Sequence, residues 1–229
     1  MSDAHGARGY GPVAIALHWS VAALILANLA VGWIGEEMER SPEKFTLFHW
    51  HMSLGLLVLL LSAVRLAWRW VEPPPPPLTR MPFEVTLART VHGGLLAISL
   101  LGPITGIAAQ LAEGRPIAFF GIELVGGRQP PRTVEPAASR VFVEEEGEEE
   151  AMGAALAAPP SGENEAEEEA NEIWQGLHAA LVKPALILLL LLHLGGALKH
   201  HFVDRDDTLA RMLGRLPARA SAVSGPPVP

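Results

Sequence analysis

Four long apolar runs constrain this 229-residue chain more than any other feature. A helix that crosses a bilayer needs about 20 mostly apolar residues. The first run is Gly9 to Gly35. The second is Phe45 to Val64, continuing past Arg65 to Trp70. The third is Thr90 to Ala112, and the fourth is Ile173 to Leu198, interrupted only by Lys183. The fold class is therefore all-α, a transmembrane four-helix bundle. All six tryptophans (Trp19, Trp33, Trp50, Trp68, Trp70 and Trp174) fall near the ends of these runs, as an interfacial aromatic belt requires. The prolines Pro73 to Pro77 stop the second helix and stiffen its connection to the third. The first run exceeds a typical signal-peptide core and has no clear small-residue cleavage site, so it reads as a retained helix.

The expected organisation is an N-terminal tail (1–11), helices one to three (12–112), a long loop (113–172), a fourth helix (173–204) and a C-terminal tail (205–229). The loop concentrates the acidity. Residues 141–173 carry 12 of the 25 acids and no Lys or Arg, while the remainder has 17 basic residues against 13 acidic. The net charge of −8 thus describes one segment. Low complexity and few aromatics predict disorder or nascent helix there. No nucleic-acid partner is expected; the lipid bilayer is the first partner.

Orientation follows from Lys and Arg. Arg8, Arg65, Arg69, Arg80, Arg89, Lys199, Arg205, Arg211, Arg215 and Arg219 lie on the side of the termini. The short loop opposite has Arg40 and Lys44. Positive-inside topology puts both termini in the cytoplasm and the acidic loop outside.

Histidines inside these helices point to function, because ionisable groups in hydrocarbon are costly. His18 and His193 each lie about two turns from the inner side. His51 and His178 each lie just inside the outer ends of their helices. In a regular α-helix, His178 and His193 are about 22 Å apart along the axis and about 60° apart around it. One helix can then face the bundle interior with both. Two depth-matched pairs suggest two stacked haem groups, His18 with His193 inside and His51 with His178 outside, since neutral imidazole is a standard iron ligand. The chain has no cysteine, so such haem would be bound non-covalently between the helices.

Other residues have secondary readings. His92 could replace His18 as an inner ligand, or hydrogen-bond a propionate or quinone. His49 points away from His51 and is interfacial, while His200 and His201 could touch headgroups, a propionate or a quinone. Arg65 lies well inside its span, where arginine costs about 2.5–3.5 kcal/mol. It should snorkel or meet an anion such as an inner haem propionate. Lys183 could serve the outer haem in the same way. Asn28 reads as an interhelical hydrogen-bonding residue. Gly55, Gly176, Gly195 and Gly196 accompany the histidines and would give clearance to a flat macrocycle or to close helix contacts.

The motifs "ALHW" around His18, "HMSLGLLVLLLSAVRLAWR" from His51, "PITG" from Pro103 and "LHLGGALKHHFVDRDDTLARML" from Leu192 resemble the bacterial cytochrome b561 family. These cover most of residues 10–112 and 174–213. The resemblance implies a four-helix dihaem b-type membrane cytochrome, with ligands at His18, His51, His178 and His193. It also implies electron exchange between a quinone pool and a periplasmic partner. Some members oxidise superoxide and reduce ubiquinone, so superoxide:quinone oxidoreductase activity stands beside plain electron carriage. The chain departs from the family in its long acidic loop, which would suit a basic cytochrome c but repel superoxide at long range. Two rival readings share the spans: a haem b anchor subunit of a larger oxidoreductase, such as a hydrogenase or formate dehydrogenase, and a histidine-lined transporter without haem.

Overall fold

The computed structural model describes residues 9–79, 81–127 and 162–215. Residues 128–161, which include most of the acidic run, lie outside these. So do both chain ends, with Arg8 and Arg219, and Arg80 in the second connector.

Three long helices come first: α1 (Pro12–Glu37), α2 (Pro42–Val71) and α3 (Pro82–Ala112). Each begins with proline in its first turn, where the missing N–H has no intrahelical partner to lose. Ser41 also caps α2, its Oγ accepting from the Lys44 N–H at 3.3 Å. The fourth span is one long helical run with two wide turns in it. It comprises α4 (Gly162–Gly176), a π-helical turn (Leu177–Val182), α5 (Lys183–Lys199) and a second π turn (His200–Asp204). Pro184 explains the first irregularity, because it offers no N–H to the carbonyl of Ala180. All four runs, Pro12–Glu37, Pro42–Val71, Pro82–Ala112 and Glu169–Asp204, are long and apolar enough to cross a membrane.

The helices pack in chain order, α1 on α2, α2 on α3, and α3 on the fourth helix. Their contacts use small side chains. Ser53, Gly55, Val58 and Ser62 are the buried residues of α2; Val91, Ser99, Gly102 and Gln110 are those of α3. Water provides no drive to join helices within lipid, so close backbone approach through small residues is what holds them. Leucines such as Leu26, Leu60, Leu101 and Leu191 face outward, as a lipid-facing surface demands. α5 buries no residue completely. This is a membrane bundle of four apolar helices.

Two parts of the 113–172 loop carry secondary structure, the second of them within the acidic stretch for which composition predicted disorder or nascent helix. After α3, β1 (Ile117–Phe119) and β2 (Ile122–Val125) form an antiparallel hairpin with Phe119 opposite Ile122. Its two turn residues, Phe120 and Gly121, have φ of 47° and 85°, as a primed hairpin turn requires. Phe120 is held there by α2: its N–H donates to Ser53 Oγ at 2.9 Å, and its ring meets Trp50 edge-on at 5.5 Å. At the other end of the segment, α4 carries the fourth helix outward. Glu113 ties it to α3, accepting from Asn171 Nδ2 at 3.2 Å and also from Gln175 Nε2.

On the inner side, Arg205 adopts a left-handed conformation (φ 53°) that ends the fourth helix. Short α6 (Thr208–Met212) then folds back across the bundle. Trp19 Nε1 donates to the Met212 carbonyl at 2.9 Å, and buried Arg211 donates to the Pro76 carbonyl at 2.8 Å. α6 thereby clamps α1 and the proline connector together. Replacing Arg211 with alanine leaves the Pro76 carbonyl without this donor and is expected to cost about 1–3 kcal/mol. Thermal unfolding in detergent, compared with the parent chain, reads that loss.

Candidate functional site

The fold brings the intramembrane histidines together at two levels. At the outer level, the His51 and His178 rings lie 5.9 Å apart between centroids, almost perpendicular at 86°. At the inner level, His18 and His193 lie 6.1 Å apart at 61°. His92 joins the inner group, 5.0 Å from His193. Each pairing crosses the bundle to the fourth helix, from α2 at the outer level and from α1 at the inner. His178 sits in the π turn, so the regular spacing of about 60° between it and His193 does not hold. The wide turn nonetheless leaves both rings opposite partners.

These separations suit a shared metal. An imidazole nitrogen binds a transition metal at about 2 Å and the ring centre lies about 1 Å behind it, so two rings facing each other across one ion have centroids about 6 Å apart. The distances of 5.9 and 6.1 Å match this, whereas the 5.0 Å of His92 and His193 is closer than such a pair allows. His92 is placed as a neighbour of the inner pair.

Hydrogen bonds at the outer level select a tautomer. His51 Nδ1 lies 3.2 Å from the Asn28 carbonyl, and His178 Nδ1 lies 3.0 Å from the Gly102 carbonyl. A carbonyl only accepts, so each Nδ1 carries the proton and each Nε2 presents a lone pair. That is the form in which histidine binds a metal. Thr105 completes the arrangement: its hydroxyl donates to Gly102 O at 2.7 Å and lies 3.0 Å from His178 Nδ1. Two glycines make room for these rings. A Cβ at Gly32 would come within 2.9 Å of the His51 ring, and one at Gly106 within 3.3 Å of the His178 ring.

The inner level differs. Arg65 Nη2 lies 3.2 Å from His18 Nδ1. A guanidinium only donates, so here Nδ1 is the acceptor and Nε2 holds the proton. Metal binding through Nε2 needs the opposite tautomer, which would release Arg65 toward an anion such as a haem carboxylate. Arg69 lines the same recess, with Tyr10, Trp68, Glu72 and Met212. His193 makes ring contacts but no hydrogen bond among the described residues.

The remaining residues read from the sequence are placed as follows. Lys183 pairs with Glu36 of α1 and sits over the Trp33 ring, 4.6 Å from its centroid. The Asn28 carbonyl serves His51, while its side-chain Oδ1 is buried without a hydrogen-bond partner among the described residues. His49 and His201 are exposed. His200 Nδ1 meets Asp206 at 2.7 Å and Asp204 at 3.2 Å, beside Lys199, which bridges Glu84 and Asp204. Burial opposes ionisation of Asp206, but hydrogen bonds from Thr208 and His200 prevail and lower its pKa. Sequence reasoning missed Gly32, Gly102, Thr105 and Gly106. The "PITG" motif contained two of these, and its role as the backing of His178 shows only in three dimensions.

The glycine contacts give a paired expectation. Gly32→Ala should displace the His51 ring and lower the haem content of the purified chain. Gly35→Ala, where a Cβ would meet only the Leu47 Cβ at an ordinary 3.9 Å, should leave it unchanged. Haem per chain, measured by absorbance against protein concentration, separates the two.

The chain is 29% identical over 223 residues to cytochrome b561 homolog 2 of Escherichia coli (strain K12), covering 94% of this chain and 96% of that protein. It is 22% identical over 211 residues to the probable superoxide oxidase CybB of Yersinia pestis, covering 90% and 96%. It is 35% identical over 109 residues to cytochrome b562 of Cereibacter sphaeroides, covering 44% of this chain and 66% of that protein. The family model described as prokaryotic cytochrome b561 matches residues 9–215. With its four apolar spans and intramembrane histidines, the chain belongs to the prokaryotic cytochrome b561 family of membrane electron-transfer proteins, which implies b-type haem.

Proposed function

We propose that this chain carries two non-covalent b-type haems, one held by His18 and His193 and the other by His51 and His178. It moves electrons across the bacterial inner membrane between a quinone pool and a periplasmic partner. The observation that carries this reading is the pair of cross-bundle histidine contacts, each at about the 6 Å expected of two imidazoles facing each other across one metal. Bound haem supplies the one-electron chemistry, and the protein supplies ligands, orientation and electrostatics. The Asn28 and Gly102 carbonyls fix the ring orientation of His51 and His178. Gly32 and Gly106 admit those rings between helices. Arg65 is the guanidinium available to an anionic carboxylate of the inner haem. Lys183 is held by Glu36 and is less free for the same role at the outer level.

The basic residues around both termini support a cytoplasmic location for them. The name of the Yersinia pestis relative supports superoxide as one candidate donor. The acidic composition of residues 144–169 supports a second, a basic cytochrome c steered by opposite charge. Ubiquinone is the proposed quinone substrate. His92, His200 and His201 at the inner end are candidates for its contacts.

A reduced-minus-oxidised spectrum of the purified chain, with haem counted, tests the core of this reading. Two low-spin b haems per chain are expected. A colourless protein from haem-sufficient cells would discard the reading in favour of a transporter, and a large co-purifying partner would favour an anchor subunit. His193→Ala should lose one haem and His92→Ala should keep both. For the donor, deleting residues 144–169 should slow electron transfer from a basic cytochrome at low salt and have little effect at high salt. An unchanged low-salt rate would remove the acidic segment from the mechanism.

A further inference from the structure

The two levels differ in charge and hydrogen bonding in a way that ranks them. At the outer level, Lys183, five residues along the fourth helix from His178, is ion-paired with Glu36. Both outer histidines donate from Nδ1 to a backbone carbonyl. Such donation makes the imidazole a more basic ligand and favours the oxidised metal. At the inner level, Arg65 touches His18 and has no carboxylate within ion-pair distance among the described residues. Arg69 lines the same recess; Glu72, also there, accepts from Trp68 Nε1 at 3.0 Å and pairs with neither arginine. No backbone carbonyl receives a hydrogen bond from His18 or His193 among the described residues. An unmatched cation beside a redox centre favours the state holding one more electron. Ligand basicity and local charge therefore act in the same direction.

We propose that Arg65 sets the inner haem at a higher reduction potential than the outer one, so that electron transfer from the outer haem to the inner one is downhill. In that step the outer haem loses one electron and the inner haem gains it, with no proton or other reactant consumed. Release of Arg65 from His18 toward a haem carboxylate would leave its charge at the same level of the bundle, so the ranking does not depend on which of the two it touches. This inference rests on the two-haem reading above.

The test is an optical redox titration of the full-length, haem-loaded protein in detergent. Two separate waves are expected, and His51→Ala should remove the lower one. Arg65→Gln should shift the upper wave downward and leave the lower wave in place, while Arg65→Lys, which keeps the charge, should hold most of the gap. Glu36→Gln, which unmasks Lys183, should raise the lower wave. Coincident waves in a chain that holds two haems would overturn the proposal. So would loss of the upper wave in His51→Ala, or an unmoved upper wave in a two-haem Arg65→Gln protein. If Arg65→Gln sheds its inner haem, Glu36→Gln decides: a raised lower wave supports the electrostatic ranking and an unmoved one overturns it. Fewer than two haems in the parent chain would be a failure of the two-haem reading itself, visible before any titration.

Discussion

A neutral imidazole in hydrocarbon has one donor and one acceptor nitrogen, and each needs a partner. The bundle faces that need at five histidines, His18, His51, His92, His178 and His193, and three of them, His18, His51 and His178, have a hydrogen-bond partner on another helix. At the outer level, the need is met on one side by backbone carbonyls. Those carbonyls come from neighbouring helices, Asn28 of α1 for His51 and Gly102 of α3 for His178. The rings thus bind three helices and the π turn to one another, while each Nε2 stays available to a metal. Glycines at 32 and 106 exist within the same constraint, because a side chain there would occupy the space of the ring.

The bundle is tight on one side and looser on the other. α2 and α3 meet their neighbours through serines, glycines and valines, and small side chains allow close approach. The fourth helix joins mainly through α3 and through the histidines that reach across from α1 and α2. α5 buries no residue completely. The ends are secured separately. Glu113, Asn171 and Gln175 fasten the outer end, and α6 with Trp19 and Arg211 fastens the inner end.

The family relation and the geometry contribute different things. Family membership supplies membrane electron transfer and b-type haem. The geometry distinguishes the levels, with matched charge and carbonyl partners outside and a bare arginine inside. A difference of that kind makes the step between the two levels downhill one way, while the donor and the acceptor set the net direction of flow.

The sequence by itself determined the spans, because crossing a membrane is a one-dimensional demand on length and hydropathy, written directly into consecutive residues. It also paired the histidines by depth, since distance along a helix axis is nearly proportional to residue number. Rotation around the axis is less forgiving. One π turn at Leu177–Val182 alters it, and its only local sign was Pro184. The partners of each ring come from other helices: Asn28 lies 23 residues from His51, and Gly102 lies 76 residues from His178. So does the separation of Arg65, which meets His18, from Lys183, which meets Glu36, although both looked alike as single cations in apolar runs. Composition also concealed the hairpin, whose turn depends on Ser53 of α2. Tertiary structure alone decided these features, because hydrogen bonds and charge pairing depend on where side chains meet across helices, which hydropathy and spacing along one chain do not specify.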